Sequence, residues 1–296
     1  MLMEINLNIN HKIGILGLGV LGSAIAQCFI DKKINIFGFD ISSKFYKNLD
    51  KNFITILDDI SKFYTKCNIV ITCLPSEESL LEVTKNLNSK ILFIETSTLP
   101  LECKKLAKSQ LNLKDCKIVD APLSGNRLAA LEGKLSSYLS GMKNDKSIAS
   151  NVLNIFCHKV TDVGDFGNGI VMKLIGNILN LVHNAVTAEV LTLGMKSGLK
   201  PEIIHEAISG TFSSSGVFEN RGKLMVDQDF EKEGMNFSTP LKDSKFITEL
   251  SRSNLVALPI YQVALQYYYS AVANGLGDKD ASSIIRILER NTNFRR

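Results

Sequence analysis

Hydrophobic positions along the chain change their spacing once. Up to about residue 163 they gather in short runs: Ile13–Leu16, Ile34–Phe39, Ile69–Leu74, Ile91–Ile94, Lys117–Val119, Tyr138–Ser140 and Lys159–Thr161. The runs are rich in Ile and Val, and helical lengths of mixed sequence separate the early ones. That alternation predicts βαβ units and a mainly parallel sheet covered on both faces.

After Val163 the strand signal stops at a glycine-rich break, Gly164-Asp165-Phe166-Gly167-Asn168-Gly169. A long helix is predicted from about Ile170 to Ser197. Its apolar residues wrap almost the whole circumference, and such a helix is buried, here between domains and against another subunit. Gly198 stops it, and Pro201 suits the first turn of the next. Further helices are expected near 201–209, 215–228, 240–253, 259–274 and 280–290. The predicted fold is α/β: a Rossmann-type dinucleotide-binding domain over 1–163, then an all-α C-terminal domain over 164–296 led by a long interdomain helix.

Composition narrows the classes. The 296 residues suggest about two domains. Apolar residues at 45% and charged residues at 22% are ordinary for a globular chain. The net charge of +4 comes from basic residues scattered as singles and pairs such as Lys32-Lys33 and Lys104-Lys105. Without a basic stripe, nucleic acid is not an expected partner. No uncharged apolar run approaches the ~18 residues of a membrane span, so no membrane association is expected. Met1-Leu2-Met3-Glu4-Ile5 has no basic segment before an apolar one, unlike a secretory signal. The cysteines at 28, 67, 73, 103, 116 and 157 form no C-x-x-C pair. They read as reduced thiols in the cytoplasm rather than a zinc site or redox dithiol. His11, His158, His183 and His205 form no spaced set, so no metal site is expected; His183 reads as a core or interface residue.

The strongest local chemistry is at the start. Ile13-Gly14-Ile15-Leu16 is followed by Gly17-Leu18-Gly19-Val20-Leu21-Gly22, a G-x-G-x-x-G between strand and helix. Gly17 permits the tight turn, Gly19 lets the backbone approach a pyrophosphate, and Gly22 lets helix and strand pack closely. The helix from Ser23 to Ile30 points its N-terminal amides at the phosphates. A second strand ends in Asp40, where a carboxylate accepts from ribose hydroxyls and repels a 2′-phosphate. NAD is therefore the expected coenzyme. NADP stays open, because Ser42, Ser43 and Lys44 can hold a phosphate.

With these residues in view, the sequence resembles the β-hydroxyacid dehydrogenase family of 3-hydroxyisobutyrate dehydrogenase, tartronate semialdehyde reductase and the glyoxylate/succinic semialdehyde reductases. The likeness runs through ordered blocks over nearly the whole chain. Besides the glycine fingerprint, Cys73-Leu74-Pro75 is similar to a strand-end Leu-Pro along the coenzyme. Glu95-Thr96-Ser97-Thr98 is similar to Asp-x-Ser-Thr. Asp120-Ala121-Pro122-Leu123-Ser124-Gly125-Asn126 resembles the substrate loop Asp-Ala-Pro-Val-Ser-Gly-Gly. Gly167 to Asn177 resembles Gly-x-Gly-x-x-x-Lys-x-x-x-Asn, and Lys242-Asp243 matches a Lys-Asp pair in a C-terminal domain like that of 6-phosphogluconate dehydrogenase.

The resemblance implies hydride exchange between nicotinamide and a small 3-hydroxy acid or its semialdehyde, with Lys173 as the proton-transfer residue and no zinc. A lysine beside a closed cleft loses hydration, which suits it to proton transfer near neutral pH. Asn177, at i+4, projects from the same face. Ser124, Gly125 and Asn126 would take a substrate carboxylate, Asn126 standing where the family has glycine and tolerating a left-handed backbone. Arg127 reads as a surface residue. Thr98, with Ser97, would touch the nicotinamide end or the substrate, or equally cap the helix after Pro100. Lys242 would reach the coenzyme and Asp243 steady the catalytic side; a solvated surface pair is the alternative. Many members place an aromatic eight residues before that Asp. Met235 stands there, with Phe237 two residues later, so the pocket is reshaped or the loop re-registered. A homodimer or homotetramer is expected. Rival readings are an NADPH-dependent glyoxylate/succinic semialdehyde reductase, an imine reductase on the same fold, which Lys173 speaks against, and a non-catalytic dinucleotide-binding protein.

Overall fold

The computed structural model describes residues 11–85, 87, 90–231, 234–294 and 296. The segment Met1–Ile5, read above for a signal, lies outside them. The chain divides into two compact units, Met1–Lys173 and Leu174–Arg296.

The first unit is built on six parallel strands: β1 (Ile13–Leu16), β2 (Ile36–Phe39), β3 (Ile54–Ile56), β4 (Ile69–Thr72), β5 (Leu92–Glu95) and β6 (Lys117–Asp120). Their order is β3-β2-β1-β4-β5-β6, the doubly wound Rossmann arrangement with its switch point at β1/β4. Helices α1 (Val20–Asp31), α2 (Ile60–Lys66), α3 (Glu77–Lys85) and α4 (Leu101–Asn112) connect them. Strand residues alternate between two cores. Ile13, Ile15, Ile71 and Ile94 pack with Phe29 of α1, whereas Leu16, Val70, Phe93 and Ile118 pack with Phe63 of α2. Burial on both faces is why these strands read as continuous apolar runs.

Two expected strands join a different sheet. β7 (Leu123–Ser124), β8 (Leu135–Leu139) and β9 (Cys157–Asp162) form a three-stranded sheet, with α5 (Arg127–Leu131) between the first two and α6 (Lys143–Leu153) between the last two. An isolated Asp120–Ser140 bridge joins the end of its central strand, β8, to the end of β6.

α7 (Asn168–Lys196) is a single 29-residue helix that starts in the first unit and runs through the second. Its inner side buries Leu181, Ala185, Ala188 and Leu191. Its outer side is not buried in the single chain: Ile175 is 45%, Leu179 52% and Leu193 69% exposed. The continuous apolar wrap is thus a core stripe backed by an exposed apolar stripe. By length and composition α7 would span a bilayer, but core helices of soluble proteins meet the same criterion. α8 (Pro201–Ile208), α9 (Lys223–Asp227), α10 (Ser238–Ser253), α11 (Pro259–Ala273) and α12 (Ile285–Asn291) complete the second unit. Asn184 of α7 is fully buried there, its Nδ2 donating to Tyr268 Oη and to the Ala281 carbonyl, each at 2.9 Å.

Candidate functional site

Five turns leave the main sheet at the C-terminal ends of β1, β2, β4, β5 and β6, the edge at which open α/β sheets bind ligands. The glycine loop follows β1. Gly17 has φ +94°, and a Cβ there would lie 2.4 Å from the Cys73 carbonyl oxygen. A Cβ on Gly22 would fall 1.9 Å from the Gly17 carbonyl oxygen, so α1 starts hard against the turn. Gly19 is different: its Cβ would meet nothing within 4 Å. It is the N-cap of α1, and no side chain caps the helix. The N-terminus of α1 therefore opens on space at Gly19, which fits a pyrophosphate. Leu18 is fully buried, Leu21 half-buried and Val20 exposed.

Asp40 follows β2 and faces this loop. Its Oδ2 accepts from the Leu18 N–H at 2.6 Å and its Oδ1 from the Ser42 N–H at 2.7 Å. Two backbone donors fix the carboxylate in place, and each oxygen keeps a lone pair for a ribose hydroxyl. The residues present fit a dinucleotide.

Leu74 and Pro75 follow β4. The Leu74 N–H donates to Ser97 Oγ at 2.8 Å, tying this turn to the one after β5. Cys73 beside them is pushed up to about 12 by burial, so its thiol stays protonated at neutral pH. Thr98 is half-buried. The helix-capping alternative for Ser97 and Thr98 is not adopted: the N-cap of α4 is Pro100, with no side-chain cap.

The turn after β6 leads through Ser124 to Gly125, at φ +129°. Asn126 departs from expectation. Its backbone is extended, with φ −102°, not left-handed, and its side-chain oxygen caps α5 by accepting from the Ala129 N–H at 3.0 Å. Local capping is open to Asn and not to glycine.

Lys173 and Asn177 lie one turn apart near the start of α7, both half-buried. The helix origin is held by side chains from the sheets: the Gly169 N–H donates to Ser140 Oγ at 3.0 Å, and the Ile170 N–H to Asp120 Oδ2 at 2.7 Å. In the second unit, Asn177 Nδ2 donates to Asp243 Oδ2 at 2.8 Å. Asp243 is only 2% exposed, with Lys242 Nζ 3.5 Å from its other oxygen. The solvated-pair alternative fails, because Asp243 is a buried carboxylate that orients Asn177. Met235 lines a small cavity with Asn177, Asn180, Asp243 and Tyr261. Phe237 is fully buried edge-on to Tyr268 at 5.5 Å. Met235 thus borders the space beside Asn177, and Phe237 turns into the core.

Three buried charges carry weight that the sequence reading passed over: Glu95, Asp120 and Lys104. One signal was available, since Lys104 falls on the α4 face that also buries Cys103, Ala107 and Leu111.

Residues 12–164 match the family model for the NAD binding domain of 6-phosphogluconate dehydrogenase. Residues 167–288 match the one described as NAD-binding of NADP-dependent 3-hydroxyisobutyrate dehydrogenase. The chain belongs to the β-hydroxyacid dehydrogenase family. Members it resembles include L-threonate dehydrogenase of Cupriavidus necator, 25% identical over 94% of this chain and 96% of that protein. The mitochondrial 3-hydroxyisobutyrate dehydrogenase of Rattus norvegicus is 27% identical over 95% of this chain and 88% of its own. A Mycobacterium tuberculosis 3-hydroxyisobutyrate dehydrogenase structure with L-serine superposes at TM-score 0.85, with 21% identity over 94% and 99% of the two chains. This family member is an NAD(P)-binding oxidoreductase acting on hydroxyl groups.

Proposed function

We propose that the chain oxidises a small 3-hydroxy acid of the 3-hydroxyisobutyrate kind, or reduces its semialdehyde, and that it prefers NAD. The observation that carries this reading is Lys173 and Asn177 on successive turns of a helix whose origin hangs from the ligand-binding edge of a Rossmann sheet. The glycine loop and Asp40 would hold the dinucleotide, with Leu74, Pro75, Thr98 and Lys242 along it. When bound, its nicotinamide supplies or accepts the hydride. Lys173 takes the substrate hydroxyl proton in oxidation and returns it to the carbonyl oxygen in reduction. Ser124, Gly125 and Asn126 bind the carboxylate, and Asn177, oriented by Asp243, donates to a substrate oxygen. Residues 1–163 would serve as the coenzyme domain and 164–296 as the substrate and dimerisation domain.

The test is a panel of 3-hydroxyisobutyrate, L-threonate, glycerate, serine, threonine and short semialdehydes with both coenzymes, beside Lys173→Ala. Loss of kcat by about a thousandfold with coenzyme affinity retained is expected. Turnover by Lys173→Ala at the wild-type rate would remove the lysine from the mechanism, and tight coenzyme binding without turnover on any acid would favour a non-catalytic protein. A second reading, an NADPH-dependent semialdehyde reductase, draws on the NADP-dependent description of the matching C-terminal family. A clear NADPH preference would select it.

The exposed stripe on α7 repeats Met172, Leu179, Val186 and Leu193 at intervals of seven, with Ile175 and Val190 between. That spacing suits a helix–helix seam, supporting a homodimer or homotetramer. Leu179→Arg is expected to give monomers in sedimentation analysis, and an unchanged mass would refute this seam. The free state of all six cysteines supports a cytoplasmic setting.

A further inference from the structure

Sheet register sets up an electrostatic problem at the ligand-binding edge. Thr72, Glu95 and Asp120 are direct neighbours across β4, β5 and β6. Two carboxylates side by side on adjacent strands repel, and both are fully buried. The relief comes from α4. Lys104, also fully buried, brings Nζ to 2.6 Å from Asp120 Oδ1 and 3.7 Å from Glu95 Oε1.

Each carboxylate then passes this hold to a different part of the site. Asp120 uses Oδ2 to accept the Ile170 N–H, three residues before Lys173, and its main chain pairs with Ser140, whose Oγ accepts the Gly169 N–H. The fit leaves no slack: a Cβ on Gly169 would lie 2.5 Å from the Tyr138 carbonyl oxygen and 2.8 Å from Asp120 Oδ2. Glu95 uses Oε1 to accept the Ser97 N–H at 2.7 Å, contacts Thr72 Oγ1 through Oε2, and so steadies the turn in which Ser97 Oγ accepts the Leu74 N–H.

We infer that Lys104 is a positioning residue for the reaction, a single buried ammonium that sets the origin of α7, and hence Lys173, together with the turn carrying Ser97 and Thr98. The inference rests on the reading of Lys173 as the proton-transfer group. Burial pushes the Glu95 carboxyl up despite the lysine, consistent with Lys104–Asp120 being the tight ionic pair and Glu95 the weaker partner. A substrate-side lysine gains only if its helix cannot shift, because a displacement near 1 Å costs on the order of 100-fold in rate.

Lys104→Met, Lys104→Arg and Ser140→Ala are compared with wild type and Lys173→Ala, using whichever acid of the panel turns over. Ser140→Ala removes the Gly169 anchor and the hydroxyl's contacts with Asp120, and leaves the Lys104–Asp120 pair and the Ile170 anchor in place. It is expected to lower kcat about tenfold with the NAD+ dissociation constant within about threefold, and to speed amide exchange in residues 167–172. Lys104→Met, which loosens both arms, is expected to lower kcat about 100-fold and weaken NAD+ binding as well, with part of the rate recovered in Lys104→Arg. If Lys104→Met does not fold, Ser140→Ala decides. Folded Lys104→Met or Ser140→Ala variants with wild-type kcat, beside an inactive Lys173→Ala, would overturn the inference while leaving the role of Lys173 standing. Wild-type turnover by Lys173→Ala would instead remove the premise, and unchanged exchange in 167–172 would refute the anchoring by itself.

Discussion

A methyl group added at Gly22 would sit 1.9 Å from the carbonyl oxygen of Gly17, where real contacts do not fall below 3.0 Å. Gly22→Ala must therefore drive the start of α1 back by about 1.1 Å, the difference between those two distances. The helix cannot yield freely, because Ile25 and Phe29 on it are fully buried. Overpacking of this kind costs about 1–3 kcal/mol, and at roughly 2–4 °C per kcal/mol for a chain of this size the expected loss in Tm is about 2–12 °C. The same shift lengthens bonds of about 2.9 Å from the first-turn amides to a phosphate toward 4 Å, beyond hydrogen-bonding range. Losing one or two bonds to a charged group, at about 1.5–3 kcal/mol each, weakens coenzyme binding about 100-fold. Gly19→Ala separates the two effects. Its methyl group meets no protein atom, so Tm should stay at the wild-type value. The space it fills is the one assigned to the pyrophosphate, so affinity should fall all the same. NADH fluorescence titration and a thermal melt of both variants give the readout. Gly22→Ala with wild-type Kd, or Gly19→Ala binding NADH normally, would refute the placement of the phosphates.

Three further outcomes are expected. Asp243→Ala frees the Asn177 amide and should raise KM for the acid about tenfold while leaving NADH affinity unchanged; a coenzyme defect with normal KM would contradict the link. The folded state holds the Glu95 proton above its ordinary value of 4.5, so its contribution to stability is greatest below that value and declines as pH rises through the window above it. Urea unfolding from pH 5 to 7 should show wild type losing stability relative to Glu95→Gln, and parallel curves would count against a buried, proton-retaining Glu95. Burial pushes Cys67 and Cys157 up to about 12 and Cys103 to about 11, so iodoacetamide at pH 8 should leave these three unlabelled in the native protein; rapid labelling of them would contradict their burial.

Much of the fold was legible from local pattern. β1, β4 and β5 are buried on both faces and so stand out as unbroken apolar runs, and the glycine spacing between β1 and α1 records one local contact, Gly22 against the carbonyl of Gly17. β3 and β7 escaped notice because three and two residues are too few to establish a period. The Tyr138 and Lys159 strands were visible as strands but not as a separate sheet, since strand pairing is a long-range choice. Asn126 departs from its left-handed expectation for a related reason: whether an Asn adopts a left-handed turn or caps a helix depends on which amide lies within its reach.

The amino-acid order alone determined the parallel-sheet first half, the helical second half and the phosphate loop, because each is written in residues near one another along the chain, and the resemblance to the family singled out Lys173. Tertiary structure decided the rest. It set Glu95 beside Asp120, buried Lys104 between them and hung the start of α7 from that cluster, and it gave Asp243 its partner, the Asn177 amide. Those pairings join residues 9 to 66 positions apart, and a charge reveals its partner only after folding has removed the water that would otherwise solvate it.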